Sequence, residues 1–275
     1  MSRRAFTAGL VATTTVALAF LLLPLVALFL RVSPGTLFGQ LGNPVATDAV
    51  LVSLKTSAIA HALVLLFGTP AAYLLATNRF RGRPLVLSLV ELPLVLPPAV
   101  AGIGLLAAFG RLGLLGSTLD AFGVQVGLTQ TAVVLAVAFV EMPFYLRGAV
   151  AAFEAVDTTL LDAARTLGAR PARVFARVAL PLALGGLGAS SAVALARGLG
   201  EFGATIIFAG SLQGVTQTLP LAIYAELDRN FDAALAIGAL FVLLGLALLA
   251  ALRLVPLWTR SVSTSRFRSA PSVSS

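Results

Sequence analysis

Apolar and polar positions alternate along this chain in long blocks, without the short period of strands. Six apolar stretches run roughly 5–30, 49–76, 85–109, 131–152, 182–209 and 233–254, and each is long enough to cross ~30 Å of hydrocarbon as a helix of about 20 residues. Hydrocarbon gives backbone N–H and C=O groups no outside partner, and the runs lack the two-residue alternation of a barrel strand, so helix is the expected state of all six. The expected architecture is an all-α membrane protein, a six-helix transmembrane bundle. The segments between spans, 31–48, 110–130 and 210–232, are too short to fold as domains.

Composition agrees with the pattern. Hydrophobic residues make up 59% of the 275 and charged residues 11%, where a soluble domain carries about a quarter charged. The formal charge of +8 reads as membrane orientation. With both termini cytoplasmic, Arg3, Arg4, Arg79, Arg81, Arg83, Arg165, Arg170, Arg173, Arg177, Arg260, Arg266 and Arg268 fall inside and only Arg31, Arg111 and Arg229 outside, as the positive-inside rule requires. Contact with anionic lipid headgroups follows, and nucleic acid is not implied. The start, "SRRAF", resembles an export signal, but the apolar run passes the 7–15 residues of a signal core and continues to Leu30, so a retained first span is expected. The serine-rich basic tail 259–275 reads as disordered.

Chemistry is sparse. Cysteine is absent, which excludes disulfides and thiolate metal sites. Lys55 lies in "VSLKTS" without the preceding glycines of a phosphate loop, so no nucleotide hydrolysis is expected here; it is expected to snorkel to the outer interface. The single histidine, His61, cannot form a metal cluster, and no G-x-S-x-G elbow is present. His61 is expected to be a polar group satisfied inside the bundle. No enzyme activity is expected, and no cofactor in this chain.

One interruption stands out, "LDAARTLGARPARVFARVALP", Leu161 to Pro181. Thr159 with Asp162 forms a weak capping box for a short helix over 159–167, and Gly168 suits its left-handed end. Leu160, Ala163, Ala164 and Leu167 share a face at helical spacing. A second piece starts at Pro171, with Arg170, Arg173 and Arg177 as a basic stripe. Periodicity leaves open a helix-turn-helix or an ordinary basic loop.

Spacing decides between them. Asp162-Ala163-Ala164, then Gly168 after three residues, Val178 after nine more, and Leu180-Pro181 resemble the "EAA" loop of bacterial ABC-importer permeases, with aspartate for glutamate and valine for isoleucine. "ELPLVLPPAVAGIGLLAAFGRLGLLG" and "ARGLGEFGATIIFAGSLQGVTQTLPLAIY" resemble the molybdate and tungstate branch of oxyanion permeases, close to the sulfate branch. The resemblance implies a type I ABC importer permease fold with a cytoplasmic coupling helix, in which Asp162, Ala163, Ala164, Leu167, Gly168 and Pro181 engage a separate ABC ATPase. It also implies a first span with its external segment over 1–48, a core permease domain over 49–258 and a coupling loop over 154–181.

The implied protein sits in the bacterial plasma (inner) membrane as a multi-pass permease, paired with a second copy of itself. ATP and Mg would sit on the cytoplasmic ATPase subunit, and an extracytoplasmic solute-binding protein would deliver the anion. The implied cargo is molybdate or tungstate, with sulfate as the alternative; a proton-driven secondary transporter working through Glu91, Glu141 or Glu201 is the competing class, though no internal repeat supports it.

Candidate path residues follow from the intramembrane breaks and charges. Pro93, Pro97 and Pro98 free carbonyls in the third span, which marks either a path or gate or a packing kink. Arg197 and Glu201 are four apart on one face of a small-residue-rich fifth span, as a neutralising pair or as lining of a path that also includes Thr205. An acidic path would repel an oxyanion, so Glu91 and Glu141 are expected off the path or paired.

Overall fold

In the computed structural model, residues 3–40 and 42–266 are described. The helices are α1 (Arg3–Arg31), α2 (Pro34–Gln40), α3 (Pro44–Thr77), α4 (Arg83–Val95), α5 (Pro98–Phe109), α6 (Gly116–Ala121), α7 (Gln130–Glu154), α8 (Thr158–Thr166), α9 (Pro171–Val174), α10 (Leu180–Leu199), α11 (Gly203–Phe208), α12 (Leu219–Leu227) and α13 (Phe231–Arg266). Among the described residues, five stretches are long and apolar enough to span alone, and the α4–α5 pair supplies a sixth if its two halves form one span.

The bundle is built around α7, which packs against α3 on one side and α10 on the other. Small residues allow the close approach. A Cβ at Gly68 would sit 2.8 Å from the Tyr145 ring, and one at Gly198 would overlap the Glu141 carboxylate. One apolar cluster, with Val64, Tyr145, Phe153, Leu161 and Val174, fills the half of the bundle that carries α8. A second, with Ala60, Val133, Val137, Ala204 and Phe208, fills the opposite half. α1 stands apart, with its leucines and phenylalanines exposed and its contacts made to α13.

Two sequence expectations need correction, while the proline break expected in the third span is present: the chain turns through 113° between α4 and α5. Leu96 and Pro97 are extended there (ψ 131° and 135°), and Pro97 and Pro98 lack the N–H groups that a continuous helix would need. The fifth span does not run 182–209. It starts at Pro171, passes through a π-helical turn at Phe175–Ala179 and ends at Leu199, after which α11 is a separate short helix. The π turn has a local cause: Pro181 cannot donate to the Arg177 carbonyl and crowds it, so the turn widens and Leu180 N–H reaches back to Phe175 O. Finally, α13 continues to Arg266, so the first part of the tail assigned to 259–275 is helical; 267–275 lies outside the described residues.

Candidate functional site

The segment expected to couple holds a short helix, α8, packed on one end of the bundle through Leu161. Its cap is Asp157, not Thr159: the Asp157 carboxylate accepts from Thr159 N–H at 2.9 Å, and α8 begins at Thr158. Hydrogen bonds from the Thr159 side chain and backbone hold the Asp157 carboxyl below its ordinary range. The capping-box partner expected from sequence, Asp162, instead pairs with Arg165 at 2.8 Å. At the far end Gly168 has φ +79°, with Gly168 N–H bonded to Arg165 O and Ala169 N–H to Ala164 O, a left-handed helix stop.

Two faces of this helix differ. Leu161 is buried against the bundle, as is Val174 after the turn. Leu160, Asp162, Ala163 and Leu167 face outward, Ala164 is half-buried, and Leu167 is 88% exposed. Leu160 and Leu167 thus lie exposed beside Ala163 on the outward side of α8. The segment is also stiffly anchored. Tyr73 of α3 and Phe175 of the π turn lie 4.8 Å apart between ring centroids, and Tyr73 and Phe153 of α7 lie 5.4 Å apart. Arg83 donates to Leu75 O at 2.7 Å and to Glu154, tying α4 to α3 and α7. Pro181 lies just after the π turn, in the first turn of α10.

At membrane depth the polar groups form two buried sets. In the first, His61 of α3 bridges Glu141 of α7 (Nδ1–Oε2, 2.9 Å) and Ser191 of α10 (Nε2–Oγ, 2.8 Å). The expectation that His61 is satisfied inside the bundle is met, and Glu141 is paired. Serine, histidine and carboxylate in line also describe a hydrolytic relay. Here Ser191 is buried between the three helices. The arrangement ties three helices together.

The second set surrounds the break between α10 and α11. Arg197 reaches Glu201 at 2.8 Å, and the other Glu201 oxygen accepts from Ala204 N–H at 2.8 Å, capping α11. Glu201 and Thr205 are buried within the single chain, while Arg197 is about one-third exposed. Gly203 lies against Pro98: a Cβ there would come within 2.6 Å of the proline Cβ. The two broken regions, Pro97-Pro98 and Glu201-to-Thr205, are therefore in direct contact, although the sequence shows them as independent features. Pro97 and Pro98 themselves are exposed on their other side.

Sequence reasoning missed Arg147. It projects from the fourth span with its side chain 70% exposed, and Glu91 of α4 is its nearest acid at 3.7 Å. Its signal in the sequence is an arginine inside an apolar run. The three-helix site of His61 carried no such signal, because its partners lie 80 and 130 residues away along the chain.

Comparison with known proteins agrees with this architecture. A family model described as the binding-protein-dependent transport system inner membrane component matches residues 65–260. The molybdenum transport system permease protein ModB of Mycobacterium tuberculosis is 45% identical over 225 residues, covering 82% of this chain and 85% of that protein. ModB of Escherichia coli is 40% identical over 220 residues, covering 80% and 95%. In structure, a bacterial ABC transporter involved in the import of the acidic polysaccharide alginate aligns with TM-score 0.70 over 97% of this chain and 96% of its own, at 17% identity, which speaks to the fold alone. The inward-facing MetNI methionine ABC transporter aligns with TM-score 0.61 over 77% and 94%, at 19% identity. The fold is that of an ABC importer permease, with the multi-pass helices such a fold requires. By its family match and by the extent of its kinship, this chain belongs to the binding-protein-dependent transport system inner membrane components.

Proposed function

We propose that this chain is the membrane permease subunit of an ATP-driven importer for a tetrahedral oxyanion, molybdate in the first instance. The observation that carries the reading is α8: an exposed apolar and small-residue face, stopped by Gly168 and anchored through Val174 and the Tyr73–Phe175 contact to the bundle. Kinship with the molybdenum permeases supports the cargo. Asp162, Ala163, Ala164, Leu167, Gly168 and Pro181 form the coupling element, which a cytoplasmic ATPase carrying ATP and Mg grips and moves. Pro97, Pro98, Arg197, Glu201 and Thr205 act at the gate, where α5 and α11 touch.

Two copies related by a two-fold axis enclose the path. An extracytoplasmic binding protein supplies the anion, both termini face the cytoplasm, and anionic lipids meet the basic side. When nucleotide draws the ATPase subunits together, the force enters at α8, passes through α9 and the π turn, and shifts α10 against α7 and α3. The α10–α11 break then moves against Pro98. Ser191 rides on α10, so the three-helix tie at His61 sets how far α10 can slide before a buried hydrogen bond is lost.

The proton-driven alternative draws no support from the acids it would use. Glu141 is already paired with His61, Glu201 with Arg197 and Ala204 N–H, and Glu91 lies 3.7 Å from the Arg147 guanidinium. The test is uptake of labelled molybdate by vesicles that hold the permease, the ATPase and the binding protein. ATP-dependent uptake that survives collapse of the proton gradient is expected, and uptake that collapses with the gradient while ATP remains refutes the reading.

A further inference from the structure

Two buried intramembrane acids are spoken for among the described residues. Glu141 and Glu201 are buried and held at hydrogen-bond distance by His61 and Arg197. Arg147 is not. It leaves α7 seven residues before the helix ends at Glu154, about 10 Å inside that end. Its side chain is 70% exposed, and Glu91, itself half exposed, lies 3.7 Å from its Nε, longer than a hydrogen bond. Its neighbours Leu146, Ala149 and Val150 are buried. Arg147 therefore stands on the face of α7 that a single chain leaves uncovered, together with Ala151 and Glu154 at helical spacing.

An uncovered guanidinium at this depth does not face hydrocarbon without large cost; such residues face a bundle interior or a water-filled cavity. Glu91 orients Arg147 without occupying its donors, for no hydrogen bond from the guanidinium is found among the described residues. A planar fork of N–H donors matches the edge of an oxyanion, which a lysine ammonium does not do.

We propose that Arg147 faces the aqueous translocation path and contacts the tetrahedral oxyanion there, with Glu91 holding the guanidinium in position when no anion is present. The proposal rests on the importer reading above and adds a residue to it. In a two-fold dimer two copies of Arg147 face one dianion, and two Glu91 carboxylates keep the local field from trapping it. A conducted ion must be bound well enough to enter and loosely enough to leave. A guanidinium with one loose acidic neighbour meets both needs.

The chain contains no cysteine, so Arg147→Cys gives one thiol per permease subunit, assayed in the full complex with cysteine-free versions of its ATPase and binding protein. A membrane-impermeant methanethiosulfonate is expected to label that thiol, and added molybdate is expected to slow labelling several-fold. Absence of labelling would place the position against lipid and overturn the proposal. Labelling that ignores molybdate but falls as anionic lipid is raised would assign the arginine to phospholipid headgroups and overturn it equally. In uptake assays Arg147→Ala is expected to lose about tenfold or more of molybdate transport, as for a charge-assisted pair, while still copurifying with the ATPase. Arg147→Lys is expected to raise the half-maximal anion concentration several-fold; it carries the uptake arm if the alanine variant does not assemble, and an unchanged value overturns the proposal. Wild-type complex that takes up no molybdate refutes the importer reading itself, whereas wild-type uptake with Arg147→Ala unaffected refutes the role of Arg147 alone.

Discussion

Consider His61→Leu. The substitution removes both hydrogen bonds of the three-helix tie, to Glu141 Oε2 at 2.9 Å and to Ser191 Oγ at 2.8 Å. Glu141 is fully buried and its Oε1 has no partner among the described residues, so the variant leaves this carboxylate with no hydrogen bond at all. Breaking one side of a buried pair costs about 3–5 kcal/mol. At roughly 2–4 °C per kcal/mol for a chain somewhat under this size, the expected fall in Tm is about 6–20 °C. Replacing both partners, His61→Leu with Glu141→Leu, removes the buried carboxyl along with its partner and is expected to recover most of that loss, leaving Ser191 as the one orphaned group. The assay is thermal unfolding of the wild type, both single variants and the double variant in lipid nanodiscs, followed by loss of the monodisperse peak. A double variant destabilised by the sum of the two singles would show that the residues do not interact, and a His61→Leu Tm within a degree or two of wild type would refute the tie directly.

Other consequences follow from particular residues. Gly168→Val puts a β-branched residue at φ +79°, straining the turn by about 1–2 kcal/mol or more; the protein is expected to insert normally but to retain far less ATPase on affinity purification. Leu167→Asp changes a side chain that is 88% exposed, so Tm should hold while ATPase capture is lost. Arg197→Ala should lower stability and uptake more than Arg197→Ala combined with Glu201→Gln, because the single change leaves Glu201 charged and buried; equal damage from both would assign Arg197 a direct role in the path. The Asp157 pKa is depressed by its capping bonds, so the cap contributes above the unfolded value near 4 and is lost as pH falls through the lower folded value. ATPase binding should therefore weaken in that acid window, and Asp157→Asn should flatten the dependence.

Much of this architecture is legible in the sequence because the bilayer imposes it. A run of twenty apolar residues has helix as its one solution, and Gly168 marks the stop of α8 through its backbone freedom. The break at Pro97-Pro98 is equally visible, since proline removes donors. Its 113° angle is not, because the angle depends on α5 packing against Gly203 and Ala204 of α11. The fifth span ends early because Glu201 turns its carboxylate onto Ala204 N–H, a cap hidden within an apolar run. Asp157 rather than Thr159 caps α8 because its side chain sits two residues before the N–H it accepts from, a position the capping-box spacing passes over. The His61 site needs three helices already in place before any of its contacts exist.

Vesicles holding the permease with its ATPase and an internalised regenerating supply of ATP, assayed with and without the external binding protein, test the central claim most directly. Labelled molybdate should accumulate against its gradient only when all three components are present, and Gly168→Val should uncouple ATP consumption from that accumulation. Uphill accumulation by the permease alone, with no ATPase in the membrane, would contradict the account.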